Sequence, residues 1–211
     1  ASARMGQRTL LVTQNLDSVA QMSCNPSIGG IAKGQIVREI DALGGEMARV
    51  TDRSYLQVRW LNTRKGPCVR ALRAQSDKHL YARTMRETLL GQPRLTLLQA
   101  MVTHLVVEGG RVTGIATLQG GEYAGGAVVV TTGTFLQGLL WIGTHSSPAG
   151  RAGEFPATHL SDSLRALGLL ARAWVGRGGK DLAQVGDRDR VRGPGRRRGL
   201  SNGPRCGRQN R

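Results

Sequence analysis

Two short apolar runs constrain the fold of this chain more than any other feature. Residues 8–13 read RTLLVT, and Val128–Val130 lie within the run AVVVTTGTF at residues 127–135. Continuously apolar strands are typical of parallel sheets that are covered on both faces. The runs therefore predict an α/β fold. Residues 8–13 look like the second strand of a Rossmann-like dinucleotide domain, whose first strand and GxGxxG loop would lie before residue 1.

The remaining apolar patterns predict further helices and strands. Residues 31–43 place four apolar side chains on one helical face before the glycines that end the helix; these side chains are Ile36, Val37, Ile40 and Leu43. Residues 55–61 alternate as a strand does. A long helix is predicted over 69–90, and a short one over 161–167 with Ser161 as N-cap. Short strands separated by glycine pairs predict an inserted antiparallel β-meander; they are 95–99, 102–108, 111–118 and 122–125.

This pattern stops near residue 173. Residues 173–211 are dominated by Gly, Arg, Asp and Pro and lack an apolar period, so we expect them to be disordered. They hold half of the net charge of +16. The segment reads either as an arginine-rich RNA-binding tail or as out-of-frame translation of a GC-rich message, and we favour the second. We expect 1–172 to form one partial domain.

Composition limits the setting in which the chain works. Three cysteines are too few and too scattered for a disulfide framework, which favours a reducing, cytoplasmic compartment. Neither an apolar run near 18 residues nor a leader is seen, so we expect no membrane contact. The four histidines lack ligand spacing, and there is no CxxC or HExxH motif, so we expect no metal site.

The stretch QMSCNPSIGGIAKG at residues 21–34 is the first candidate site. Gly29 and Gly30 leave backbone N–H groups unshielded before a helix N-terminus, which can hold a phosphate or the pyrimidine end of a flavin. Cys24 lies just upstream with Lys33 nearby. It reads either as a nucleophile or as a small buried apolar residue.

Two further segments carry candidate residues. Lys65, in the loop at 62–67, would project from a rigid Gly-Pro turn and could bind an anion, or it is a solvated loop lysine. Arginines and lysines of 69–90 could follow nucleic-acid phosphates, or they form a solvated helix face. The run at 127–135 leaves its strand through residues 131–134, at the sheet edge where doubly wound folds bind ligands.

Five motifs in order resemble one family over residues 1–172: QMSCNPSIGGIAKG, REIDALGG, LNTRKGP, VRALRAQSDKHLY and TTGTF. The family is the large flavoprotein subunit that makes 5-carboxymethylaminomethyl-uridine in tRNA, called GidA or MnmG. Each motif alone is weak, but five in order are specific.

The resemblance implies an FAD-bound, homodimeric enzyme that acts with a GTPase partner on C5 of the tRNA wobble uridine. Methylenetetrahydrofolate would supply a one-carbon unit, and NADH would reduce the flavin. By resemblance, Cys24 and Lys65 match catalytic positions. The cofactor-binding positions implied by the resemblance are Asn25, Ser27, Ile28, Gly29 and Gly30 beside the isoalloxazine, Val102 at the adenine, and Thr132, Gly133 and Thr134 closing over the dinucleotide.

The chain departs from the family pattern at several points. The GGGHAG phosphate loop is missing, Ala32 replaces a glycine, and Cys68 replaces an alanine and reads as a packing residue. A KTGTPPR-like segment is replaced by the Arg/Gly-rich tail. Because the N–H donors of the phosphate loop and the first strand would be missing, we expect weak or no FAD binding by the chain alone. Two alternatives remain at this point: another FAD-dependent oxidoreductase, of the fumarate-reductase-like or thiol-redox type, and a basic RNA-binding module without catalysis.

Overall fold

The computed structural model describes residues 1–169 and 175–177, which form a mixed α/β structure with several small sheets. The strands are β1 (Thr9–Thr13), β2 (Ser27–Gly29), β3 (Tyr55–Leu61), β4 (Ala71–Ser76), β5 (Leu95–Gln99), β6 (Val102–Glu108), β7 (Arg111–Thr117), β8 (Glu122–Ala124), β9 (Leu139–Ile142), β10 (His145–Pro148) and β11 (Val175–Arg177). The helices are α1 (Lys33–Ala42), α2 (Met47–Ser54), α3 (Lys78–Leu90) and α4 (Thr158–Ala166), with one 3₁₀ turn at Pro67–Val69.

A parallel pair of strands carries the first apolar run. The run at 8–13 forms β1, as predicted, and β1 pairs in parallel with β5, Thr9 opposite Leu95 and Thr13 opposite Gln99. Parallel strands need a long crossover, which here runs through the segment that contains α1, α2 and α3. The prediction that placed 95–99 with the antiparallel hairpins was therefore wrong about its partner.

The second apolar run does not form the predicted strand. Residues 127–132 have no β-ladder partner, and Val129 is 79% exposed. Val128–Val130 instead face Leu10 and Val12 of β1 across a narrow slot. An apolar run becomes a strand only where a neighbouring strand accepts its hydrogen bonds, and no strand among the described residues occupies that slot.

The long helix predicted over 69–90 is wrong for its first part. Residues 71–76 form β4, the centre of a three-stranded antiparallel sheet ordered β2-β4-β3. The helix α3 starts only at Lys78, because Asp77 Oδ1 accepts hydrogen bonds from the backbone N–H groups of His79 and Leu80. Those bonds also hold the pKa of the Asp77 carboxyl below its ordinary value.

The predicted meander is confirmed in β6, β7 and β8, which pair antiparallel in that order. Helix α4 packs on this sheet, where Leu160 and Leu164 are buried with Ala157 against Val102 and Leu105. The predicted N-cap Ser161 is wrong: α4 begins at Thr158, and Ser161 is buried within the helix.

Several elements lacked a sequence prediction. Helix α2 and the hairpin β9-β10 fall in segments left unassigned, and β11 pairs in parallel with β9. The strand β11 lies inside the tail predicted to be disordered, so that prediction is wrong for 175–177. Residues 173–174 and 178–211, including Cys206, lie outside the described residues.

The apolar face of α1 forms as predicted but stays open. Ile36 is 54% exposed and Leu43 is 89% exposed, and α1 has no buried residue. Strand β3 is also uncovered, with Leu56 71% exposed and Trp60 55% exposed. Within the described part of the chain, no helix has the length and apolar character that a membrane span requires.

Candidate functional site: two clefts

The first cleft contains the cysteine of the opening motif. It has a volume of about 590 Å³ and lies between the 24–31 segment, helix α1 and the sheet β2-β4-β3. Six of the predicted site residues line it together: Cys24, Asn25, Ser27, Ile28, Gly29 and Gly30. We call this the cysteine cleft. Cys24 is exposed in it, so the reading of Cys24 as a buried apolar residue is wrong.

The backbone of the motif is less open than the sequence suggests. Residues 27–29 form the edge strand β2, the Gly30 N–H donates to the Leu72 carbonyl, and the Ser27 N–H donates to the Asn25 carbonyl. The prediction that this bend offers bare amides is therefore wrong for Ser27 and Gly30. A flavin in this cleft would have to be held largely by side chains and by the other groups of the 24–31 segment.

Gly29 is required by a close approach between strands. Its φ is +94°, and a Cβ there would lie 2.3 Å from the Leu72 carbonyl oxygen. Contacts under about 3 Å are far inside van der Waals distance, so β2 can reach β4 at this point only through a glycine. The glycine thus fixes the wall of the cleft on which Cys24 lies.

The charged groups lining the cysteine cleft are cations. Lys33 at the start of α1 and Arg73 of β4 both line it, and no Asp or Glu does. Arg73 Nε donates to Ser27 Oγ at 3.1 Å, which ties β4 to the edge strand β2 and orients the guanidinium. The site is therefore suited to an anionic or electron-rich group.

A second cleft lies at the carboxyl ends of β1 and β5. It has a volume of about 370 Å³ and is lined by the end of β1, by the loop after it, by Ala100 directly after β5, and by Val102 and Thr132. We call it the strand-end cleft. Its position matches the general rule that α/β sheets bind ligands beyond the carboxyl ends of their strands.

An ionic network closes one side of the strand-end cleft. Arg151 Nε donates to Glu154 Oε2, and the Arg151 guanidinium lies 5.6 Å from the centre of the Phe135 ring. The hydrogen bond from Arg151 holds the pKa of Glu154 below its ordinary value although partial burial opposes this.

Three predicted residues lie outside both clefts. Gly133 and Thr134 follow Thr132, and Thr134 Oγ1 donates to the Gly150 carbonyl at 2.7 Å. Lys65 lies in the turn at 62–67, where its N–H donates to the Asn62 carbonyl, and it lines neither cleft. The structure therefore groups the predicted residues into two sets and leaves Lys65 apart from both.

Sequence reasoning missed the role of Arg73 and the Arg151–Glu154 ion pair. Arg73 was assigned to a helix face, and residues 71–76 (ALRAQS) show no apolar–polar alternation that would indicate a strand. The signal for the ion pair was the Arg-x-x-Glu spacing from Arg151 to Glu154, which by itself is common. Residues 1–169 and 175–177 contain no cluster of three or more His, Cys, Asp or Glu side chains able to hold a metal ion.

The architecture is that of a mixed α/β protein with several small sheets and two open clefts. The family model "Glucose inhibited division protein A" matches residues 1–173. GidA of Aquifex aeolicus superimposes with a TM-score of 0.74 at 49% identity, covering 79% of this chain and 28% of that one. The GidA-related protein from Thermus thermophilus superimposes with a TM-score of 0.56 at 26% identity, covering 79% of this chain and 60% of that one.

Curated relatives give the same assignment. Proteins named tRNA uridine 5-carboxymethylaminomethyl modification enzyme MnmG are 56% identical over 169 residues in both Syntrophotalea carbinolica and Geobacter metallireducens. The chain belongs to the GidA (MnmG) family and has the GidA-like fold over its described part. These matches cover 80% of this chain but only 27% of the length of each of the two relatives.

Proposed function

We propose that this chain is part of an FAD-dependent enzyme that converts the wobble uridine of tRNA to its 5-carboxymethylaminomethyl form. The observation that carries the proposal is the grouping of the motif residues. Six positions of the 24–30 segment, including the thiol of Cys24, line one open cleft beside Lys33 and Arg73. Family membership supplies the reaction class, because the relatives are named for this modification.

The fold part of the proposal is a partial Rossmann-like FAD domain with an inserted meander. The parallel pair β1-β5, joined through a long crossover, and the antiparallel β6-β7-β8 sheet support it. The unfilled slot between β1 and Val128–Val130 is where a further parallel strand would complete the sheet.

The two clefts are suited to different ends of the cofactor. The strand-end cleft, with Val102 and Thr132 in its wall, would take the adenine end, while the cationic cysteine cleft would take the electron-rich isoalloxazine. When bound, FAD would supply the redox chemistry that carries the one-carbon unit of methylenetetrahydrofolate to the base, with NADH as reductant.

The chain's own residues have distinct tasks in this proposal. Cys24 is the exposed nucleophile of the cleft. Ser27 and Arg73 hold each other and fix the cleft wall, and Lys33 adds positive charge where negative charge develops. Lys65 is assigned to the substrate through the family resemblance alone, because it lines neither cleft. The GTPase partner, the homodimer and the cytoplasmic location belong to this proposal through the family.

The test uses a chimera in which residues 1–169 replace the matching part of Aquifex aeolicus GidA. Wobble modification is measured by mass spectrometry of tRNA nucleosides. Cys24→Ala should abolish modification, whereas the matched control Cys68→Ala should retain it. A Cys24→Ala chimera that modifies tRNA at the parental rate would contradict the assigned role.

A further inference from the structure

Two arginines face each other directly across the β2-β4-β3 sheet. The strand register pairs Arg59 of β3 with Arg73 of β4, and Arg73 in turn with Gly29 of β2. Cross-strand partners lie on the same face of a sheet with Cβ atoms about 4.5–5.5 Å apart. Like charges at such positions destabilise a sheet, so this pair needs a compensating anion.

The described residues supply no such anion. The ion pairs of residues 1–169 engage other arginines. Arg73 donates a side-chain hydrogen bond to the neutral hydroxyl of Ser27. Arg59 is exposed, and so its charge is open to a ligand from solvent. The repulsion between the two guanidinium groups is therefore uncompensated within the described part of the chain.

The same face of the sheet borders the cysteine cleft. Leu61 lies two residues after Arg59, on the same side of β3, and lines that cleft together with Arg73 and Lys33. Gly29, the third member of the row, has no side chain, and on the β2 side Arg73 Nε donates to Ser27 Oγ. Two cations, Lys33 and Arg73, thus line the open cleft that contains Cys24, and Arg59 lies beside Arg73 on the same face of the sheet.

We propose that Arg59 and Arg73, with Lys33 beside them, form a binding site for a phosphate group. Two guanidinium groups on adjacent strands offer the planar donor sets that phosphate oxygens accept. The phosphate belongs to the RNA backbone, because Arg59 opens the site to solvent and a single-stranded anticodon segment must reach the cleft. This choice of source rests on the proposed function, whereas the phosphate site itself does not.

Arginine footprinting of the full chain tests the site directly. The chain is labelled with phenylglyoxal in chloride, in inorganic phosphate at equal ionic strength, and with a single-stranded RNA decamer, and each arginine is quantified by mass spectrometry. Arg59 and Arg73 should be protected about fivefold or more, since each charged hydrogen bond is worth about tenfold or more in affinity. Arg8 and Arg111, which form none of the ion pairs among the described residues, are the internal controls.

The probes separate the source of the phosphate from the existence of the site. Protection by RNA supports the full proposal, and protection by inorganic phosphate alone overturns the RNA source. If the labelling of Arg59, like that of Arg111, is the same under all three conditions, the phosphate site is overturned. A flavin-free or inactive chimera that still shows Arg59 protection would refute the proposed function and leave the phosphate site standing.

A variant distinguishes binding from a structural role. Arg59→Gln removes the repulsion with Arg73, so it should raise the melting temperature in chloride by about 1–3 °C. It should also reduce the further rise that inorganic phosphate produces, and Arg111→Gln should change neither. A lower melting temperature for Arg59→Gln in chloride would show that Arg59 stabilises the sheet and would overturn the inference.

Discussion

Ala32 is held in a strained backbone conformation at the entrance to α1. Its φ is 63° and its ψ is −39°, outside the left-handed helical region as well as the right-handed one. Residues held in such sparsely populated regions cost of order 1–3 kcal/mol. The family pattern has a glycine at this position, and glycine reaches positive φ without a Cβ clash.

Replacing Ala32 by glycine should therefore stabilise the chain. Relief of about 1–3 kcal/mol is offset by about 0.5–1 kcal/mol of extra unfolded-state entropy. The Ala32 side chain is exposed, so little packing is lost. The net gain is about 0–2.5 kcal/mol, or a rise in melting temperature of up to about 10 °C for a chain of this size.

Urea denaturation followed by circular dichroism measures this gain. The matched control is Ala42→Gly, at the exposed last residue of α1, which should lose up to about 0.5–1 kcal/mol. A loss of stability in Ala32→Gly equal to that in Ala42→Gly would refute the reasoning, because it would show that Ala32 bears no strain.

Three further outcomes are expected. Gly29→Ala should lower the free energy of unfolding by more than about 2 kcal/mol in urea titrations, since its Cβ would meet the Leu72 carbonyl oxygen at 2.3 Å, while Gly66→Ala, with no atom within 4 Å of its Cβ, should have a much smaller effect. Glu154→Gln should lower the free energy of unfolding at neutral pH, because the folded protein lowers the pKa of the Glu154 carboxyl. The stability advantage of the wild type should be full above the ordinary pKa of 4.5 and should disappear as pH falls through the folded pKa. An advantage in stability that persists at pH 2 would contradict this. Asp77→Ala should weaken α3 in circular dichroism by removing the N-cap, and the difference from wild type should shrink as pH falls below the ordinary carboxyl value of 3.8.

Glycine pairs between short strands and short apolar runs made part of the fold predictable. Glycine pairs separate β6, β7 and β8 in the sequence, and the structure pairs those strands as the hairpin rule requires. The run at 8–13 was predicted as a strand because its residues are apolar and β-forming, and it forms β1. These are cases in which the signal lies within a few residues of the element.

The errors arise where a distant partner decides the structure. Residues 71–76 (ALRAQS) carry no β-branched residue and favour a helix locally, but pairing on both edges makes them β4. The run at Val128–Val130 is the opposite case, an apolar segment that has no neighbouring strand within the described residues.

The residues that line the cysteine cleft could be named from the sequence, but their geometry could not be predicted. The motif around Cys24 pointed to one cleft, and the structure groups its residues there. The use of the Gly30 amide by Leu72 and the pairing of Arg59 with Arg73 depend on strand register, which the sequence does not display.

Iodoacetamide alkylation tests whether the cysteine cleft holds the isoalloxazine of FAD beside Cys24, as we propose. The alkylation rates of Cys24 and Cys68 are measured in the chimera, with and without bound FAD. Bound FAD should slow alkylation of Cys24 at least about tenfold and leave that of Cys68 unchanged. Equal alkylation of Cys24 in the flavin-bound and flavin-free chimera would contradict it.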